Sequence, residues 1–172
     1  MMRFSHLSPA GIVWMSPVTT GAAAQPESIG DRAEKDRRWP AMLRRLKGLR
    51  KRGRRSIRIV DADCGAGDLL IHAARRAREL GFVAIEGRGV DTDPRFVAQA
   101  QRTAAWQADP AIGLVFELGH QCEAMREETD FPADLLLCSA TGDDARKIAD
   151  LARMAGDTVL CDRREATGGE RR

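Results

Sequence analysis

Apolar residues recur along this chain with two alternating periods. Met42, Leu43, Leu46 and Leu49 fall at helical spacing, with Arg44, Arg45, Lys47 and Arg50 mostly elsewhere, and Pro40 suits the first turn of that amphipathic helix. Gly53 breaks the pattern. Ile57-Arg58-Ile59-Val60 then reads as a strand running straight into an Asp/Gly turn, Asp61-Ala62-Asp63-Cys64-Gly65-Ala66-Gly67. After it, Leu69, Leu70, Ala73, Ala74, Ala77 and Leu80 form one stripe, with Asp68 at the capping position and Gly81 where a left-handed terminator belongs. A second strand is expected within 85–90, ending in Asp91, and Asp93-Pro94 opens a helix through about Ala108.

The alternation continues. Residues 112–118 read as a third strand and 134–138 as a fourth, the latter nearly all apolar, as a parallel strand covered on both faces should be. Asp143 or Asp144 caps a helix whose Ile148, Leu151, Ala152 and Ala155 share a face, Gly156 ends it, and 158–161 supplies a fifth strand. Strands alternating with helices predict an α/β fold with a parallel, right-handed, doubly wound sheet. Four regions follow. Residues 1–30, with no apolar period, are expected as a disordered tail, 31–56 as a basic leader helix region, 57–162 as the α/β domain, and the Arg- and Gly-rich 163–172 as a second tail. The run Ile12-Val13-Trp14-Met15 is too short for a convincing signal-peptide core.

Composition narrows this further. With 172 residues, 43% hydrophobic and 31% charged, the chain suits one soluble domain. No stretch approaches the ~18 apolar residues of a membrane span, so no membrane partner is expected. Cys64, Cys122, Cys138 and Cys161 show neither CxxC pairing nor a nearby His at zinc-ligand spacing, which points to buried thiols in the cytoplasm and to no metal site. The net charge of +3 conceals an asymmetry: 32–58 holds 13 Lys or Arg against Glu34 and Asp36, leaving −8 for the rest. That block reads either as a solvated basic helix or, through Arg44–Arg58, as a contact for nucleic acid.

The turn carries the chemistry. A dinucleotide fingerprint would need a third glycine where Leu70 stands, and a pyrophosphate there would face Asp61, Asp63 and Asp68, whereas a cationic sulfonium tolerates those carboxylates. Ile59 to Gly67, an apolar strand, an acidic residue and a glycine-rich turn, resembles the first motif of the class I S-adenosylmethionine-dependent methyltransferases. About 105 residues, Ile57 to Cys161, thread on that family. The resemblance implies a Rossmann-like three-layer sandwich with a mostly parallel sheet of about five strands, order 3-2-1-4-5. Only 11 residues follow Cys161, so the family's usual last two strands are expected to be lacking. The edge left open would be covered by the 42–49 helix or by a second copy of the chain, a homodimer.

The resemblance implies S-adenosylmethionine as cofactor. It places Asp61, Asp63, Cys64, Gly65, Ala66 and Gly67 beneath the methionine part, with Asp63 standing where the family has its first glycine. Asp91, 24 positions after Gly67, would accept from the ribose hydroxyls beside Thr92. His120 or Gln121 would meet the adenine, and Cys138 closes strand four on the ligand edge. The Asn/Asp-Pro-Pro-aromatic motif of enzymes that methylate base amino groups is absent, as are a Ser-His-Asp order, HExxH and a P-loop. No catalytic residue is identified, although Asp143 and Asp144 lie where a general base would be. Three functions are therefore expected to compete: methyl transfer to an unidentified acceptor, non-catalytic S-adenosylmethionine binding or a degenerate regulatory domain, and a basic nucleic-acid-associated role.

Overall fold

The computed structural model describes residues 28–140 and 144–162. Two helices, α1 (Ile29–Glu34) and α2 (Trp39–Lys51), precede the alternating part. Strand β1 (Ser56–Asp61) leads into α3 (Asp68–Glu79), β2 (Ala84–Asp91) into α4 (Pro94–Ala104), and β3 (Ile112–Leu118) into the short α5 (Gln121–Glu127). β4 (Leu135–Ser139), α6 (Ala145–Ala155) and β5 (Val159–Asp162) complete the order. The five strands pair in parallel in the order β3-β2-β1-β4-β5, with Ile59 opposite Gly87 and Leu135, and Cys138 opposite Cys161.

Both faces of the sheet are covered, which makes three layers. Ile57, Ile59, Leu135 and Leu137 point into one cluster with Met42, Leu46 and Leu49 of α2, Leu70, Ala73, Ala74 and Ala77 of α3 and Val97 and Ala100 of α4. Val60, Leu136 and Cys138, alternating with them, enter a second cluster with Cys122 and Met125 of α5 and Ile148, Ala152 and Ala155 of α6. On the outer part of β2 and β3 this second face carries ions instead. Arg88 reaches Glu117 at 2.9 Å, Glu127 at 2.6 Å and Glu128 at 2.9 Å, and Arg58 also binds the buried Glu128.

The five expected strands and the three long helices after β1 all form, and the differences are local. Ile29 and Gly30, placed in a tail, begin α1, whose Ser28 and Asp31 make a reciprocal capping box; residues 1–27 and 163–172 lie outside the described residues. Asp68 does not cap α3. Gly67 takes that position with φ 79°, leaving Asp68 in the first turn to form a two-pronged bond with Arg32 at 2.7 Å. Helix α4 stops at Ala104 rather than about Ala108; its last buried residue is Ala100, and Asp109-Pro110 ahead favours extended backbone. Gly156 ends α6 in extended rather than left-handed conformation; it is needed because a Cβ would lie 2.6 Å from that of Leu136. Asp144 sits at the start of α6 without a side-chain cap bond, and Asp143 lies outside the described residues.

Phe116 of β3 sets the spacing of the turn-bearing layer. A Cβ on Gly89 would stand 2.4 Å from its ring and one on Gly67 2.8 Å, so β2 and the start of α3 close directly onto the aromatic face. Gly89→Ala should therefore cost about 1–3 kcal/mol through overpacking, whereas Gly113→Ala, whose Cβ meets nothing nearer than 4.0 Å, should stay within about 0.5 kcal/mol of the parent. Paired urea denaturations measure both, and equal stabilities would refute the Phe116 constraint.

Candidate functional site

The ends of β1, β2 and β4 meet at the carboxyl edge of the sheet, where the strand order reverses and ligands of open α/β sheets bind. The turn after β1 bends through Gly65 at φ 53° and Gly67 at φ 79°; among the described residues no other residue type has positive φ, so Asp63 fits without left-handed backbone. The Cys64 N–H donates to the Val90 carbonyl at 3.0 Å, and the Gly65 N–H donates to the Asp91 carboxylate at 2.8 Å. Turn and second strand are thus tied together. Nothing lies within 4 Å of a Cβ built on Gly65, so this side of the turn is open.

Three carboxylates are buried among the described residues: Asp61, Asp91 and Glu128, at 1%, 7% and 2% exposure. Two are satisfied. Glu128 binds Arg58 and Arg88, and Asp91 accepts from Gly65 with one oxygen and from the Asp93 N–H, at 2.8 Å, with the other. About four acceptor sites on a carboxylate leave Asp91 room for two further donors. Asp61 differs: neither oxygen has a partner in full hydrogen-bond geometry, and only the nearby Asp63 N–H and the Arg38 guanidinium favour its charge. Burial pushes its carboxyl up to about 6, and the Arg38 guanidinium, 3.8 Å away, restrains that rise.

Arg38 comes from the residue before α2 and is the member of this group that the spacing of motifs did not reveal. Its side chain is 11% exposed, held by Asp36 at 2.8 Å, and aimed at Asp61 and, at 3.5 Å, the Cys138 carbonyl. Burial opposes its charge, but the bonds to Asp36 and the charge of Asp61 outweigh that and keep it protonated. A Pro-initiated helix signals that α2 starts here; nothing in the spacing says that the residue capping it crosses to β1 and β4.

The remaining expected residues divide. Asp61, Cys64, Gly65, Gly67 and Asp91 come together; Ala66 is half-buried in the same turn, and Asp63 and Thr92 are exposed at its rim. The Gly119 N–H donates to the Asp91 carbonyl at 3.0 Å, which brings the end of β3 alongside. There His120 accepts from the Cys122 N–H as the cap of α5, at 3.3 Å, and Gln121 follows with a buried, unpartnered Oε1. The Cys138 side chain packs in the second core cluster, so its carbonyl is what faces Arg38. Burial and the charges of Asp61 and Asp91 push the Cys64 thiol up, and burial with the neighbouring Cys161 does the same for Cys138, so neither is an activated nucleophile.

No family model and no curated protein sequence matches the chain. Solved structures do. One is a Listeria monocytogenes protein assigned to the class I S-adenosylmethionine-dependent methyltransferases, at TM-score 0.53 and 16% identity, covering 78% of this chain and 46% of that one. Another is the S-adenosylmethionine-dependent methyltransferase of Agrobacterium tumefaciens, at 0.53 and 11%, covering 72% and 44%. A third is monomeric WbdD, at 0.59 and 18%, covering 80% and 34%. The chain spans less than half the length of each of these three. It has the Rossmann-like fold of the class I S-adenosylmethionine-dependent methyltransferases.

Asp61 supplies a prediction that needs no ligand. Its folded carboxyl titrates near 6 against an ordinary 3.8, so between those values the folded state holds more protons than the unfolded one, and stability falls as pH rises across that window. Asp61→Asn should remove this fall and leave the protein about 1–2 kcal/mol more stable at pH 7.5. Denaturation midpoints from pH 4 to 7.5 check it; a less stable variant at pH 7.5 would contradict the assignment.

Proposed function

We propose that this chain binds S-adenosylmethionine at the turn after β1 and transfers its methyl group to an acceptor. The observation that carries the reading is the buried Asp61 carboxylate, which lacks well-formed hydrogen bonds and is set beside the Arg38 guanidinium. Such a carboxylate in a buried site calls for a cationic donor, and a guanidinium next to it suits a carboxylate. An amino-acid zwitterion carries both groups, and the methionine part of S-adenosylmethionine adds a sulfonium. The chain's residues therefore fit this cofactor: Asp61 and Arg38 for the amino-acid end, the open side of Gly65 for close approach, Asp91 for the ribose hydroxyls, and His120 or Gln121 for the adenine. The adenosyl reading is supported by the fold shared with proteins named for this cofactor.

S-adenosylmethionine supplies an activated methyl group when bound. The protein's contribution is position: fixing donor and acceptor in line supplies up to about 7–11 kcal/mol of the barrier. Asp61, buried, and Arg38, held by Asp36, are already desolvated by the fold and so orient the amino-acid end with little reorganisation. A general base is not required when the acceptor is already nucleophilic. Free Cys64, Cys122, Cys138 and Cys161 suit a reducing compartment, and we place the protein in the cytoplasm. Among the described residues, no helix is long and apolar enough to cross a membrane.

Calorimetry with S-adenosylmethionine should show binding that strengthens as pH rises through about 6, where Asp61 ionises, and then levels off. In Asp61→Asn that pH dependence should vanish. Asp91→Ala should weaken binding at least about tenfold, from the ~1.5–3 kcal/mol of charge-assisted hydrogen bonds. Absence of binding to the parent protein would sink the reading. Binding without transfer of labelled methyl to cell extract would instead assign a non-catalytic cofactor-binding domain.

A further inference from the structure

Between Asp36 and Asp61 the chain contains no acidic residue, and eight of the eleven cations of that stretch fall into two sets. Arg38, Arg54 and Arg58 are tied to Asp36, Asp134 and Glu128. Arg44, Lys47, Lys51, Arg52 and Arg55 are exposed, and none of them enters an ion pair among the described residues. On other elements the opposite holds for Arg76, Arg78, Arg88, Arg95 and Arg153, each of which meets a carboxylate.

Three of these cations align on the helix. Arg44, Lys47 and Lys51 share one outer face of α2, with axial steps of about 4.5 and about 6 Å at the helical rise, and the exposed Arg52 and Arg55 follow in the chain at the helix end. Helix α2 runs from the carboxyl edge of the sheet, where Arg38 touches the end of β1, to the amino edge, where β1 begins. These cations therefore lie on the part of α2 and its exit that leads to the amino edge, away from the candidate cofactor turn. Their chemistry is narrow: Met42, Leu46 and Leu49 of the same helix are buried in the core, so no apolar face remains for insertion into a lipid surface. Trp39, the aromatic residue of α2, is buried as well, so nothing beside them stacks bases. Spaced cations without apolar or stacking groups suit a regular polyanion read through its phosphates alone.

We propose that the outer face of α2, with Arg52 and Arg55, is a docking strip for the phosphate backbone of double-stranded nucleic acid, held without base reading. This is independent of the cofactor reading and is measured without S-adenosylmethionine. The full chain is titrated against a fluorescein-labelled 20-base-pair DNA duplex between 25 and 200 mM salt. Contact through three to five cations should give a slope of log affinity against log salt of about −3 to −4.5, at about −0.9 per phosphate. Arg44→Gln/Lys47→Gln/Lys51→Gln should lower the slope by two to three in magnitude with its melting temperature unchanged. Lys47→Gln alone should lower it by about one, which keeps the test decisive if the triple variant unfolds. No binding at 25 mM salt, an unchanged slope in the variants, or competition by phosphatidylserine vesicles or polyglutamate equal to that of unlabelled duplex would each overturn the proposal.

Discussion

Strands β1 and β4 are enclosed on both faces, and that enclosure governs where chemistry can occur in this protein. A parallel strand whose successive side chains enter two different cores has no lateral surface to offer a ligand. Ile59 and Val60 face opposite clusters, as do Leu135 and Leu136. Arg58 keeps its charge only by pairing with Glu128 at the rim of the second face, and beyond it Ile59 and Val60 leave no room for a polar group before Asp61. Asp61 itself is 1% exposed. The charge is placed where solvent cannot relieve it, at a cost to the ligand-free fold, and a site of that kind is stabilised by whatever cation completes it.

The fold was legible in the sequence because its signals are local and reinforce one another. The apolar run before Asp61, the glycines at 65 and 67, and the stripe from Leu69 to Leu80 describe strand, turn and helix without reference to anything distant. The candidate site was legible in part for the same reason: Asp61, Gly65, Gly67 and Asp91 stand at ends of elements that periodicity locates. Arg38 was not, because its role depends on how α2 lies across the sheet, some twenty residues from Asp61 in sequence. Nor was the capping of α5 by His120, since seven residues are too few to establish a period. Asp68 illustrates a different failure. A capping residue and a first-turn residue look alike in sequence, and only the left-handed Gly67 decides between them.

The charge asymmetry resolves similarly. Read as composition, the basic block is uniform; in three dimensions it separates into arginines that fasten α2 to the domain and cations that face outward. Arg54 grips Asp134, whose other oxygen accepts from the Arg58 N–H at 2.9 Å, so one carboxylate joins the end of the leader region to the first strand. Arg50 bonds the carbonyls of Leu80 and Arg54, closing the end of α3 onto the same turn. The leader is an integral layer of the domain, not an appendage.

Arg88 has a consequence at a distance. By binding Glu117 on β3 and Glu127 and Glu128 at the end of α5, it clamps both sides of the segment 118–121, which the Gly119 N–H also pins to Asp91. A connection held at both anchorages and in its middle cannot sample the wide arcs open to ordinary loops. The conformational freedom of that stretch is therefore given up when the chain folds.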